Sequence, residues 1–417
     1  MTNKISSIIN GTRLFERLME LAKIGKKGDT GVERLVLSSE DDKAQELVTS
    51  WMEEAGMSVR VDHFGNLIGR KEGRDKNLPT VMIGSHIDTV PNGGRFDGTI
   101  GVLGGIEVVQ TLKEANVVHD NPIEVVAFCD EEGTRFADGF FGSRGMIGHV
   151  ESKDLEAKDE NGLSREEALA SFREGIDVQR RDESIRKPDD VKLFLEMHIE
   201  QGPFLEKRDL PVGIVEGIAG PVWGKVQKIG EAGHAGTVPM NMRRDPLAGA
   251  AEVIASIEAI CKQDTTGTLV GTVGKIEAHP GGRNVIPDSV EFSLDLRDVD
   301  LQKRENALNR IEESIASICK DRGLTGILER TLSIDPVLCS GQIIESLQEG
   351  SSSLGLEAPL MISGAGHDAM FMEKITRMGM VFVRCKNGIS HNPAEWAEKE
   401  DIVAGTALLY EVIRRNI

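Results

Sequence analysis

Four apolar runs of this chain, residues 80–84, 123–128, 191–197 and 380–383, each lead into a histidine or a pair of adjacent carboxylates. That recurrence restricts the fold more than any single motif does. Short apolar, β-branched runs suit buried strands, and open α/β sheets place their ligands just beyond the carboxyl ends of such strands. The chain therefore reads as an α/β protein whose chemistry gathers at strand ends.

The first run opens into Gly84-Ser85-His86-Ile87-Asp88-Thr89, followed by Gly93-Gly94-Arg95-Phe96-Asp97-Gly98. His86 and Asp97 are thereby offered as metal ligands from one strand-to-loop-to-helix crossing. The glycines at 93, 94, 98 and 101 allow the backbone to turn tightly and start a helix. A lone His-x-Asp is ordinarily a structural pair, so the metal reading rests on the other three strand ends. The second run ends in Cys129-Asp130-Glu131-Glu132-Gly133. Adjacent carboxylates repel, and a protein solvates them, leaves a proton on one, or neutralises them with a cation. Neighbouring side chains of extended backbone point to opposite sides, so one carboxylate can hold metal while the other faces a substrate. The third run leads to His198-Ile199-Glu200-Gln201-Gly202 and the fourth to Gly388-Ile389-Ser390-His391-Asn392-Pro393. Four ends that each present His, Asp or Glu form a joint pattern that solvated turns explain poorly.

At 417 residues the chain exceeds one comfortable core, so two domains are expected. From residue 213 to 330 the order reads strand, helix, strand, strand, helix, strand, a ferredoxin-like pattern with strands near 222–230, 268–277, 289–297 and 325–333. Its helices carry apolar stripes at Leu247, Ala250, Ile254, Ile257 and Cys261, and at Leu308, Ile311, Ile315 and Ile318. Since His198 precedes this block and His391 follows it, the remaining domain, residues 1–212 and 331–417, is discontinuous. The stretch 153–190 is polar and charged and reads as helical and exposed.

A formal charge of −19 argues against partners rich in phosphate, nucleic acid and anionic membranes alike. Five scattered cysteines, at 129, 261, 319, 339 and 385, favour a reducing cytoplasm over a disulfide framework. The opening Met1-Thr2-Asn3-Lys4 and the amphipathic Leu14, Leu18 and Leu21 lack a signal-peptide core, and no run reaches membrane length.

In its ordered motifs, Gly65-Asn66-Leu67-Ile68-Gly69-Arg70, His198-Ile199-Glu200-Gln201-Gly202 and Ser390-His391-Asn392-Pro393-Ala394-Glu395, the chain resembles amidases of the hydantoinase/carbamoylase family. That family, which includes N-carbamoyl-L-amino-acid hydrolases, allantoate amidohydrolases and β-ureidopropionases, lies within the clan of dizinc aminopeptidases and aminoacylases. The resemblance spans nearly the whole chain. It implies a dizinc-peptidase-like catalytic domain with a mixed central sheet flanked by helices, and an inserted ferredoxin-like α+β lid and dimerisation domain. It also implies two divalent ions, zinc or else manganese, cobalt or nickel. Asp97 would bridge them, with His86 and His198 completing one site and Glu132 and His391 the other. Asp88 would orient His86, and Glu131 would be the general base.

The resemblance further assigns His234, Asn284 and Arg297, with Gln201, to the substrate's carboxylate and the developing oxyanion; His234 could act across a homodimer. Taken from the residues alone, His234 is a turn residue and Arg297 a partner for Asp295 or Asp298. The implied reaction is cleavage of the C–N bond of a terminal ureido group in a small ureido-carboxylate. Gly366 and the 388–393 loop look closer to allantoate amidohydrolases than to carbamoylases, which makes allantoate the expected substrate. The alternatives are an N-carbamoyl-L-amino acid or N-carbamoyl-β-alanine and, more distantly, deacylase or dipeptidase chemistry. His367 is expected to be a buried loop residue outside the metal set.

Overall fold

The structure, a computed structural model, describes residues 8–136 and 138–417; the opening residues Met1 to Lys4 discussed above lie outside it. Its principal elements run in chain order as α1 (Gly11–Leu21), α2 (Ser39–Glu54), β1 (Ser58–Val61), β2 (Leu67–Lys71), β3 (Thr80–His86), α3 (Thr99–Glu114), β4 (Ile123–Phe128), β5 (Val191–Ile199) and β6 (Val212–Ile218). There follow β7 (Gly220–Ile229), α4 (Pro246–Lys262), β8 (Val270–Thr272), β9 (Ile276–His279), β10 (Ser289–Asp298), α5 (Leu301–Arg322) and β11 (Thr325–Ser333). The chain closes with α6 (Gly341–Leu354), β12 (Met378–Val383) and α7 (Lys399–Asn416). It forms two compact units. Of the described residues, the first comprises those up to Glu216, with Cys339–Met361 and His367–Ile417, and the second Gly217–Leu338 with the short segment Ile362–Gly366.

In the first unit the strand order is β6-β12-β5-β3-β4-β2-β1. The four central strands, β12, β5, β3 and β4, are parallel; β6 and β2 run antiparallel to them, and the edge strand β1 runs antiparallel to β2. Every residue of β3, β4 and β12 is buried, which is why these runs read as unbroken apolar stretches and not as alternation. Because the four strands point the same way, their carboxyl ends come to one edge. His86 stands beside Phe128 in register, and His198 beside Phe382.

Helix α3 fixes the geometry of that edge. It is buried from Thr99 to Val109 and packs on β3, β4 and β5, while α7 packs on α3, α6 and β12. Two glycines permit the close approach. At Gly98, with φ of +64°, a Cβ would lie 2.4 Å from the His86 ring. At Gly101 a Cβ would stand 2.4 Å from the Met197 carbonyl oxygen and 2.7 Å from Ser85 Cβ. Just past the carboxyl end of β4 a smaller cluster gathers Phe64, Cys129, Phe136, Phe141, Leu155 and Leu169. Residues 153–190 are only partly the exposed excursion that their composition suggests. They contain the short helix Arg165–Phe172, and Asp154, Leu155, Arg165, Ala168, Leu169 and Val178 are all buried.

The second unit follows the expected order of elements except that the strand expected near 268–277 is two short strands, β8 and β9. Its antiparallel sheet runs β8-β10-β7-β11, with β9 also on β10, and α4 and α5 lie together on one face. The core stripe of α4 is Ala250, Val253, Ile257 and Ile260, so it is rotated slightly from the sequence reading. Leu247, in the first turn after the Asp245 cap and Pro246, is exposed. In α5 the predicted Leu308, Ile311 and Ile315 are buried. Among the described residues no helix is long and apolar enough to cross a membrane.

Gly101→Ala offers a test with an unusual sign. In an exposed helix interior this change stabilises by about 1 kcal/mol. Here the added methyl collides with backbone, so a loss of about 1–3 kcal/mol is expected, seen as a lower unfolding midpoint by circular dichroism.

Candidate metal centre

Each of the four parallel strand ends delivers its residue by a distinct local device. His86 is the last residue of β3, and Asp97 sits at the tight turn that Gly98 opens into α3. Beyond β4, Asp130 adopts a left-handed conformation at φ +57°, which turns the chain so that Glu131 and Glu132 follow. His198 lies in β5, one residue before its end, and Gln201 just beyond is again left-handed at φ +56°. After β12, His391 is held at φ +54°. Non-glycine residues in this region are uncommon and concentrate where a fold holds functional side chains in place.

The result is a cluster centred on Asp97. Its Oδ1 lies 2.9 Å from His198 Nε2 and 3.5 Å from His86 Nε2. Its Oδ2 lies 3.4 Å from His391 Nε2, and that nitrogen lies 3.6 Å from Glu132 Oε2. Glu131 Oε2 is 3.7 Å from His86 Nε2. Three groups could each hold an ion, with ligand atoms within 4.8 Å of one another: His86, Asp97 and His198; Asp97, Glu132 and His391; and His86, Glu131 and Glu132. The first two share Asp97 and between them contain all five residues that the family resemblance assigns to metal.

The chemistry of this donor set suits a divalent cation. His86 Nδ1 lies 3.0 Å from the Asp88 carbonyl oxygen, and His198 Nδ1 lies 2.9 Å from that of Ile199. A carbonyl oxygen only accepts, so each Nδ1 carries the proton and each Nε2 is turned toward Asp97 as a potential ligand. Without an ion, the charges must compensate one another. Burial opposes the charged form of Asp97, but His198, His391 and His86 outweigh it and hold its carboxyl well below the usual range. Burial likewise opposes protonation of His86, yet Glu131, Asp88 and Asp97 raise it well above an ordinary imidazole. His391, half-exposed, is raised to about 9, first by its hydrogen bond to Asp97. Burial and then Asp97 push Glu132 up to about 7. Burial also lifts Glu131 well above the carboxylate range, against the pull of His86. Imidazole and carboxylate ligands without a thiolate suit zinc and also manganese, cobalt or nickel.

A second ring of residues holds these groups in place. The Asp88 carboxylate accepts the amide hydrogens of Glu131 at 3.4 Å and Glu132 at 3.2 Å, which ties the end of β3 to the end of β4. Gln201 Nε2 donates to Asp97 Oδ2 at 2.9 Å and to Ser390 Oγ at 3.0 Å, and Ser390 Oγ donates to Asp97 Oδ2 at 2.5 Å. Gln201 Oε1 is buried and makes no hydrogen bond among the described residues. The sequence reading missed Glu395, whose Oε1 accepts the amide hydrogens of Phe96 at 2.8 Å and Asp97 at 3.1 Å. A Cβ on Gly94 would overlap that carboxylate, which accounts for the glycine. It also missed buried Glu196, which accepts from Ser85 Oγ and the Ala369 amide, and buried Asp368, which accepts from Ser143 Oγ. The motif Ser390-His391-Asn392-Pro393-Ala394-Glu395 contained Glu395, but nothing local marked it as a partner for residues some 300 positions earlier. His367 is buried, its ring 4.6 Å from that of His198, and it belongs to none of the three groups.

The remaining candidates lie in the second unit. Gly233 and His234 pair with Ile286 and Val285, and the Ala235 amide donates to the Asn284 carbonyl oxygen at 2.9 Å, so His234 and Asn284 are neighbours. His234 is exposed, and its Nδ1 accepts the Gly236 amide at 3.0 Å. Arg297 forks Asp295 through Nε and Nη2, both at 2.8 Å, and donates Nη1 to the Gly364 carbonyl oxygen at 2.7 Å. Of the two partners that the residues alone allow, Asp295 and Asp298, the arginine takes Asp295. Gly366 closes the short segment of this unit, which the Ala219 amide and Ser363 carbonyl anchor to the end of β6.

The sequence model of peptidase family M20/M25/M40 matches residues 82–415. The chain belongs to that family. It is 57% identical over 409 residues to an N-carbamoyl-L-amino-acid amidohydrolase of Pseudomonas sp. (strain NS671), across 98% of this chain and 99% of that one. To an allantoate deiminase of Arabidopsis thaliana it is 39% identical, across 94% of this chain and 81% of the relative. Among solved structures, an amidase of the hydantoinase/carbamoylase family from Burkholderia multivorans superposes with a TM-score of 0.91 at 36% identity, covering 98% of both chains. These matches bear out the resemblance drawn from the motifs and the α/β fold it implied. This member of the M20 family is an amidohydrolase, acting on carbon–nitrogen bonds other than peptide bonds.

Glu395→Ala tests the supporting ring. It leaves two buried amides beside Asp97 without an acceptor, at a cost of about 1–3 kcal/mol each. The variant should melt at lower temperature and bind divalent metal more weakly in a titration, while Glu398→Ala, in the cap of α7, should change neither.

Proposed function

We propose that this amidohydrolase is metal-dependent and hydrolyses the terminal carbamoyl group of N-carbamoyl-L-amino acids. The observation that carries the reaction is the Asp97 carboxylate, whose two oxygens face two different ligand groups with Glu131 alongside. His86, Asp97 and His198 would hold one ion, and Asp97, Glu132 and His391 the other. Bound there, divalent ions supply Lewis acidity toward water and the ureido carbonyl. Glu131 takes a proton from the attacking water and returns it to the leaving nitrogen. Breakage of the C–N bond releases the amino acid and a carbamate that decays to ammonia and carbon dioxide.

Support for the substrate comes from the 57% identity, across 98% of this chain, to a relative named N-carbamoyl-L-amino-acid amidohydrolase. The cues for allantoate, Gly366 and the 388–393 loop, are few residues by comparison. They nevertheless favour that second reading, and a 39% identical relative is named allantoate deiminase. On the family resemblance, we assign His234, Asn284 and Arg297, with Gln201, to the substrate carboxylate and the oxyanion, since an arginine fork binds a carboxylate bidentately. The same resemblance supports a homodimer formed through residues 213–330, which would act as a lid, and the five scattered cysteines support a cytoplasmic setting.

Three measurements test this. Chelation should abolish turnover while leaving most of the far-UV circular dichroism, and added Zn, Mn, Co or Ni should restore activity; full turnover by protein shown metal-free by elemental analysis would sink the mechanism. Glu131→Gln should keep its metal and lose kcat by a factor on the order of 10²–10⁴. Glu132→Gln should instead lose metal. In competition, N-carbamoyl-L-methionine should outrun allantoate and N-carbamoyl-β-alanine, with ammonia and no urea as the nitrogen product. Faster turnover of allantoate would establish the second reading, and urea as main product would remove the reaction class.

A further inference from the structure

Arg165 carries a guanidinium with no exposed surface, inside a stretch whose composition is that of a solvated surface segment. Its Nη2 donates to Asp130 Oδ2 at 2.9 Å and to the Asp138 carbonyl oxygen at 3.0 Å, and its Nη1 donates to the Asp154 carbonyl oxygen. Phe136 and Phe141 lie 5.0 Å and 4.5 Å from its guanidinium carbon. Asp130 is itself buried, and Arg165 is the one side chain that its carboxylate bonds, since its other oxygen makes no hydrogen bond among the described residues.

Asp130 directly precedes Glu131 and Glu132. We infer that Arg165 is a positioning residue for Glu131, acting through Asp130; the inference rests on the role proposed for that carboxylate above. The peptide that bears Glu131 and Glu132 is gripped from two directions. Asp88 accepts their two amide hydrogens, and Arg165 holds the side chain of the left-handed residue before them. The turn is closed behind by the amides of Phe140 and Phe141, which donate to the carbonyl oxygens of Glu131 and Asp130 at 3.0 and 3.1 Å. Two carboxylates that repel each other, placed at the end of a strand, spread apart unless the backbone beneath them is fixed. A buried ion pair adds little to stability compared with apolar packing of the same volume, so its use here points to geometry and not to strength. The segment around residue 165 thereby becomes part of the catalytic apparatus, although it supplies no group that touches substrate.

The test is a double-mutant cycle on the metal-loaded enzyme. Arg165→Lys keeps the charge but not the fork, and the paired change Asp130→Asn with Arg165→Met removes both charges so that neither is left buried alone. Each is made with and without Glu131→Gln. With Glu131 present, both should lower kcat on the order of a hundredfold, the usual consequence of misplacing a catalytic group by about 1 Å, with KM within about twofold. In the Glu131→Gln background the same changes should cost almost nothing, because the group they position is already gone. A purely structural role would cost the same factor in both backgrounds, and that result overturns the inference, as does unchanged kcat in the Arg165 variants. Full activity of Glu131→Gln by itself would instead remove the general-base reading, and the inference with it.

Discussion

Asp97 is a buried carboxylate on which three imidazoles converge, and the rest of the site is arranged to keep it ionised where water cannot. An isolated charge at such a depth would neutralise by shifting its pKa. Here the opposite happens, because His198, His391 and His86 together outweigh burial. Those histidines are brought in by three different parallel strands, and a carboxylate that must face all of them can sit only where the strand ends meet. The requirement explains the glycines as well: Gly98 lets His86 lie against the start of α3, and Gly94 makes room for the Glu395 carboxylate that fixes the amides of Phe96 and Asp97.

The same requirement accounts for where the backbone is unusual. Asp130, Gln201 and His391 are left-handed, and all three follow central strands. An extended strand points successive side chains to opposite faces, so continuing it would send alternate ligands away from Asp97. One left-handed residue redirects the chain at a cost of order 1–3 kcal/mol, which the buried strands beneath can offset. The site is rigid where the sheet is, and the strain is confined to the residues just past it.

The four strand-end motifs were legible in the sequence because each is local. An apolar run followed by His or by two acids carries its strand, its end and its chemistry within about ten residues. The order βαββαβ of the second unit was legible for the same reason, through periodicity. What could not be read was anything whose meaning depends on a distant partner. Glu395, Glu196 and Asp368 are ordinary acids in a chain rich in them, until Asp97, Ser85 and Ser143 are seen beside them. Arg165 stands in a run of charges that any composition argument assigns to solvent, and only Asp130, together with two phenylalanines, marks it as core.

The two candidate ion positions are not equivalent, and the asymmetry follows from the same strand ends. His86 and His198 are nearly inaccessible, and their Nδ1 protons are fixed on the carbonyl oxygens of Asp88, two residues past β3, and of Ile199, the last residue of β5. His391 comes from the loop after β12, is half-exposed, and shares Asp97 Oδ2 with Gln201 and Ser390. An ion held by the first group would meet ligands oriented by the sheet, whereas at the second it competes with two hydrogen bonds and orders a looser imidazole. Rigidity is thus concentrated on the buried side of Asp97 and adaptability on the open side, where, on the function proposed above, substrate and product would pass. A site that has to bind, react and release gains from that division, because the ligands that are hardest to reposition are also those that the turnover of substrate does not need to move.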